Sequence, residues 1–149
     1  MGISYYDGEG VSKNYEQAVY WFRKAAEQGE VSSQNNLGNC YHDGKGVSKN
    51  YEQAVYWFRK AADKGVAAAQ NNLGSCYYHG HGVSQNYEQA VYWYQKATEQ
   101  GYAQAQFNLG GCYYKGEGVT KNIQQAMFWF RKAAAQGYTD AQDVLNEQF

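Results

Sequence analysis

His42, His79 and His81, with Cys40, Cys76 and Cys112, carry most of the reactive side-chain chemistry of this 149-residue chain. His79 and His81 flank Gly80. A metal centre there needs further ligands that the adjoining residues do not supply, so the pair reads as solvated loop histidines. The cysteines follow one another at intervals of 36 residues. Their number is odd, and equivalent positions of stacked units stand too far apart for a disulfide, so they read as buried, reduced thiols acting as small apolar groups. Reduced thiols favour a cytoplasmic address. Glu16, Glu52 and Glu88 also recur, at a helix's first turn, where a carboxylate meets the positive end of the helix dipole. Capping explains them better than acid catalysis does. The chain has no HExxH segment and no recurring set of Ser, His and Asp, so no catalytic residue, cofactor or metal ligand is expected.

These residues recur because the whole chain does. The segment NYEQAVYWFRKAA runs from Asn14 to Ala26 and returns unchanged from Asn50 to Ala62. It comes back as NYEQAVYWYQKAT from Asn86 and as NIQQAMFWFRKAA from Asn122. Glycines 8, 44, 80 and 116, tryptophans 21, 57, 93 and 129, and leucines 37, 73, 109 and 145 all step by 36 without insertion. A constant period in this range marks a solenoid, in which each unit hides its apolar face on its neighbours. The predicted class is all-α, a superhelix of 36-residue helix-turn-helix repeats.

Both helices of a unit are legible. Ala54, Trp57, Phe58, Ala61 and Ala62 form one apolar stripe, with Glu52, Arg59, Lys60 and Asp63 turned away. Asn50 is placed to cap this second helix, with Gln53 completing a capping-box pattern, and Gly65 is placed to end it. The first helix carries Ala69, Leu73, Cys76 and Tyr77, and Gly74 leaves room for another helix backbone. Between them lies a GxGV loop, Gly44-Lys45-Gly46-Val47 or Gly80-His81-Gly82-Val83. Its glycines release the helix and its valine tucks onto the apolar layer. It does not read as a phosphate cradle, because no strand precedes it and no third glycine follows.

Ala69, Leu73, Gly74, Tyr77, Gly80, Gly82, Val83, Ala90, Trp93, Tyr94, Lys96 and Ala97 closely resemble the Sel1-like repeat family, relatives of the tetratricopeptide repeats. The resemblance covers most of the chain and implies a right-handed α/α superhelix. It divides residues 1–149 as one domain: a partial first repeat 1–32, repeats 33–68, 69–104 and 105–140, and a polar capping helix 141–149. Two departures stand out. Ser12, Ser48, Ser84 and Thr120 occupy the place after the loop valine where the family often has proline, and each repeat has one cysteine where stapled members have two. That makes the branch credited with weak penicillin hydrolysis a poor match. The chain starts inside a first helix, with Gly2 and Tyr5 aligned to Gly38 and Tyr41, so its N-terminal end is expected to be uncapped and open to end-to-end self-association.

Family members serve as adaptors in signalling, degradation complexes and host interaction, and some as inhibitors or immunity partners of effectors. The resemblance thus implies a non-catalytic scaffold for a protein or peptide. A net charge of −1 offers no field for nucleic acid or anionic membrane, and no apolar run reaches the roughly 20 residues needed to span a bilayer. In tetratricopeptide-like stacks the first helices line the concave face, which makes Asn35, Asn39, His42, Asn71, Ser75, Tyr78, Phe107, Gly111 and Tyr114 the candidate groove. These positions drift between copies, from amide to aromatic, whereas Gly10–Gly29 and Gly46–Gly65 differ only at 27/63 and 28/64. Such near identity also suits an engineered or purely structural array. Tyr20, Tyr56, Tyr92 and Phe128 make a second row on the convex side, where charged stems are expected to cover the rings.

Overall fold

The computed structural model describes residues 14–148. Readings that fall on Gly2, Tyr5, Gly8, Gly10 and Ser12, and on the uncapped N-terminal end, lie outside the described residues. The rest is a right-handed α/α superhelix. The described helices are α1 (Tyr15–Glu27), α2 (Val31–Asp43), α3 (Tyr51–Asp63), α4 (Ala67–His79), α5 (Tyr87–Glu99), α6 (Ala103–Lys115), α7 (Ile123–Ala135) and α8 (Thr139–Gln148). Each packs on the one before and the one after.

The helix ends follow from local chemistry. Asn50 Oδ1 accepts the Gln53 backbone N–H at 3.1 Å, and Asn14, Asn86 and Asn122 do the same for Gln17, Gln89 and Gln125. Only half of the expected capping box is used. The Asn50 N–H donates instead to the Tyr41 carbonyl at 2.8 Å, and those of Asn86 and Asn122 to Tyr77 and Tyr113 at 2.9 Å. The loop is thereby tied back to the first helix, and the glutamine need not reach the cap. At the far end Gly65 takes φ +91°. The Gly65 N–H reaches Ala62 O at 2.9 Å and the Val66 N–H reaches Ala61 O at 3.2 Å, a Schellman closure.

The second glycine of the GxGV loop is fixed by more than its φ of +75° at Gly46. A Cβ added there would run into the Tyr15 carbonyl of α1, and at Gly82 into that of Tyr51. The loop of one unit lies against the start of the preceding unit's second helix. At Gly74 the approach is to a ring as well as to backbone: an added Cβ would stand 2.9 Å from the Tyr94 ring and 3.2 Å from the Ala90 carbonyl oxygen.

The core is assembled at the junctions between units. One cluster joins Ala18, Val19, Phe22 and Ala26 of α1 to Leu37 and Cys40 of α2 and to Trp57 of α3. The next joins Val55, Phe58 and Ala61 of α3 to Leu73 and Cys76 of α4 and Trp93 of α5. Neighbouring letters of the repeated segment therefore serve different junctions, Trp57 the earlier one and Phe58 the later. Each large ring withdrawn from water contributes roughly 1.5–3 kcal/mol, so no unit holds its fold without its neighbours.

Candidate partner-binding groove

The first helices α2, α4 and α6 bring the drifting positions to one side, where two adjoining hollows open. A hollow of about 360 Å³ is lined by Asn39, His42, Ser75, His79 and His81, among others. A larger one of about 530 Å³ is walled by Ser75, Tyr78, Tyr94, Phe107, Gly111 and Tyr114, with Phe130 also in its lining. Ser75, His79 and Gln104 belong to both, so the groove is continuous. The grading from polar to aromatic is present in the lining itself.

Asn35 and Asn71 have another task. The Asn72 amide donates to Asn35 Oδ1 at 3.0 Å and to Asn39 Oδ1 at 3.3 Å, and Asn108 donates to Asn71 Oδ1 at 3.0 Å. These amides tie one first helix to the next. Asn71 is only 1% exposed, so it supports the groove from below and offers a partner nothing. The doublets Asn35-Asn36 and Asn71-Asn72, with Asn108 keeping the second member, were the visible trace of this spine.

The histidines are not all loop residues in water. His81 is half-buried and its ring lies parallel to that of Tyr51, with centroids 4.2 Å apart. His42 Nε2 stands 3.3 Å from His81 Nδ1, and His42 Nδ1 stands 2.9 Å from Asp43 Oδ1. Both bonds are satisfied when each Nδ1 carries a proton, with His42 donating to Asp43 and accepting from His81. Burial, followed by His42, His79 and Lys49, holds the His81 pKa below its ordinary value. His79 remains exposed. Among the described residues no group of three or more His, Cys, Asp or Glu is placed to hold a metal ion.

Within the larger hollow Tyr94 takes the place of Phe58, and its hydroxyl lies 3.1 Å from Ser75 Oγ. The Tyr78 hydroxyl donates to Glu117, and Lys115 Nζ approaches the same oxygen at 3.3 Å. Burial foremost, and then the Glu117 bond, raises the Tyr78 pKa. All three cysteines are unpaired and buried. Burial pushes Cys40 up to about 11, and Cys76 and Cys112 up to about 12, so they stay thiols and are poor nucleophiles.

On the opposite side Tyr20, Tyr56, Tyr92 and Phe128 remain 46–49% exposed. Lys24, Lys60, Lys96 and Lys132 each place their ammonium 4.9–5.3 Å from one of these ring centroids, in that order. Each ring also stands edge-on to the tryptophan that follows it. Each ring thus has the expected lysine over it, but the stems leave about half of the ring open to water rather than covering it. Among the described residues no helix is long and apolar enough to cross a membrane.

The Sel1 repeat family model matches residues 1–30, 31–66, 67–102 and 103–138. A search of the curated proteins gave no significant match. Among solved structures the chain is similar to c5321, a protective antigen present in uropathogenic Escherichia coli strains and displaying an SLR fold. The identity is 42% and the TM-score 0.90 over 97% of this chain and 31% of that one. A Sel1 repeat protein from Oxalobacter formigenes is 37% identical, with a TM-score of 0.90 over 97% of this chain and 59% of the other. The chain thus spans about a third and three fifths of their lengths. Helicobacter pylori cysteine rich protein B is 28% identical, at a TM-score of 0.68 over 92% of this chain and 98% of that one. Four matched repeats, the 36-residue helix pairs and these bacterial neighbours lead to one assignment: the chain belongs to the Sel1 repeat family.

Proposed function

We propose that the chain is a non-catalytic scaffold that holds a protein or peptide partner along the groove of α2, α4 and α6. Sel1 repeat proteins are generally protein–protein interaction scaffolds. The observation that carries the groove assignment is a contrast within each unit. Residues that build the junctions are repeated almost unchanged, whereas Asn39, Ser75 and Gly111 differ in every copy, His42 gives way to Tyr78 and Tyr114, and all six line open hollows. Conserving structure while varying a lined surface suits recognition of something irregular, such as an extended chain. Aromatic walls supply large contact area at low entropy cost, and amides can bond a peptide backbone.

Affinity capture followed by mass spectrometry, comparing the chain with an Asn39→Ala, Tyr78→Ala, Phe107→Ala, Tyr114→Ala variant, tests this assignment. Partners retained by the native chain should be lost by the variant; equal retention would place binding elsewhere. Self-association through the N-terminal end remains a separate proposal, read out by sedimentation at high concentration. A purely structural array is favoured by the near identity of α1 and α3, and complete absence of retained partners would support it. The hydrolase reading has no support from the thiols, which are buried and unpaired. Nitrocefin should be turned over no faster than the buffer control, and a saturable rate would overturn the non-catalytic assignment.

A further inference from the structure

We infer that the larger hollow is an anchor pocket for one bulky apolar side chain, aromatic or long aliphatic, of an extended acidic peptide. This rests on the groove being the binding surface and specifies what it takes. The walls come from two adjacent units: Tyr78 on α4, Tyr94 on α5, Phe107 and Tyr114 on α6, and Phe130 on α7. About 530 Å³ of space among them exceeds what a single water-filled crevice needs and admits a large side chain together with part of its backbone.

Gly111 is the decisive residue. Its neighbour Gly110 is required by packing, since an added Cβ there would stand 2.8 Å from the Phe130 ring. At Gly111 an added Cβ meets nothing within 4 Å, and the backbone is ordinary helix with no positive φ. A glycine inside a helix is unfavourable without a reason of packing or conformation. Neither applies, and what the missing side chain achieves is an open floor. In register the same position is Asn39, then Ser75, then Gly111, so the side chain shrinks along the groove as the hollow widens.

The charge of the peptide follows from the lining. The larger hollow has Lys115 and His79 in its lining and no carboxylate. In the adjoining hollow both nitrogens of His42 and Nδ1 of His81 are taken up by the bonds to Asp43 and between the two rings, so it adds no imidazole donor. Glu117 is engaged by the Tyr78 hydroxyl. A carboxylate on the peptide therefore meets Lys115 and His79 at the larger hollow, whereas a basic peptide finds no acid in that lining.

The test uses a phage-displayed library of random 12-residue peptides as the probe, panned on the intact chain, with enriched peptides labelled and measured by fluorescence anisotropy. Enriched peptides should share a bulky apolar residue with Asp or Glu nearby. Gly111→Leu should weaken them about tenfold or more, as should alanine at the peptide's bulky residue, because a buried apolar anchor is worth at least that factor. Circular dichroism should show Gly111→Leu folded. Should it unfold, Tyr114→Ala, at an exposed wall of the same hollow, reads the same loss. Tyr56→Ser on the convex side should change nothing. Binding that ignores Gly111→Leu and Tyr114→Ala but falls with Ser75→Arg and Asn39→Arg would sink the anchor pocket and leave the groove standing. Indifference to all four, or no enrichment over bare support, would sink both. Basic consensus peptides would overturn the charge assignment.

Discussion

Trp57 and Phe58 are adjacent letters that face different junctions, and Gly110 and Gly111 are adjacent glycines with opposite meanings. The second pair yields a direct comparison. Gly110→Ala drives a methyl against the Phe130 ring and should destabilise by about 1–3 kcal/mol. Gly111→Ala adds helix propensity in open space and should stabilise by about 0.5–1 kcal/mol. Urea denaturation of the two variants reads both signs. His81 gives a second prediction. Its folded pKa lies below the ordinary 6.5, so the unfolded chain binds that proton more readily. Its contribution is unaffected above pH 6.5 and is lost as the pH falls from there through the folded value. Burial first, and then the neighbouring His42, His79 and Lys49, disfavour the imidazolium in the folded chain. Midpoints measured between pH 8 and 5 should decline on the acid side, and His81→Gln should flatten that decline; an unchanged slope would remove His81 from the account.

Between helices, a glutamine clamp recurs where one second helix ends beside the next. Gln100 Nε2 donates to the Gly65 carbonyl at 2.8 Å and to Gln70 Oε1 at 3.0 Å. Gln136 repeats this with Gly101 at 2.8 Å and Gln106 at 2.9 Å. At the equivalent place one unit earlier stands Lys64, whose ammonium donates to the Gly29 carbonyl at 3.5 Å and makes no bond to Gln34. Gln34 Oε1 is left buried without a partner. Lys64→Gln should complete the clamp and stabilise the chain by about 0.5–1.5 kcal/mol. Thermal unfolding checks this; no gain would show that the Gln34 oxygen is already satisfied by water. The drift at 28/64 looked like free surface variation in the sequence, and its consequence lies on a side chain 30 residues away.

Across the molecule, the convex and groove faces carry aromatic residues for different reasons. The convex rings are regular, each beneath a lysine of its own helix, four residues on. The groove rings are irregular and border open space. Changing Tyr56 and Tyr92 together to serine should therefore leave the oligomeric state unchanged in sedimentation. A loss of assembly would make the convex row an interface.

Most of the fold was legible because it is local. Period, apolar stripes, asparagine caps and closing glycines all act within one helix and its turns, and each was placed correctly from α1 to α7. The capping box was over-read because Gln53 competes with a carbonyl that only the folded loop brings near, that of Tyr41. The groove was legible as a side of the first helices, since drift among copies separates free positions from packed ones. Which of its residues face outward was not. Asn71 and Ser75 lie on the same helix, yet one is closed over by Asn108 and the other borders both hollows. Helical periodicity states the direction of a side chain about its own axis; it says nothing of what stands opposite, one unit further on. The pairings of Asn35 with Asn72, Asn71 with Asn108 and His42 with His81 span a whole repeat. They are decided by how neighbouring units stack, and that is a property of the assembled superhelix.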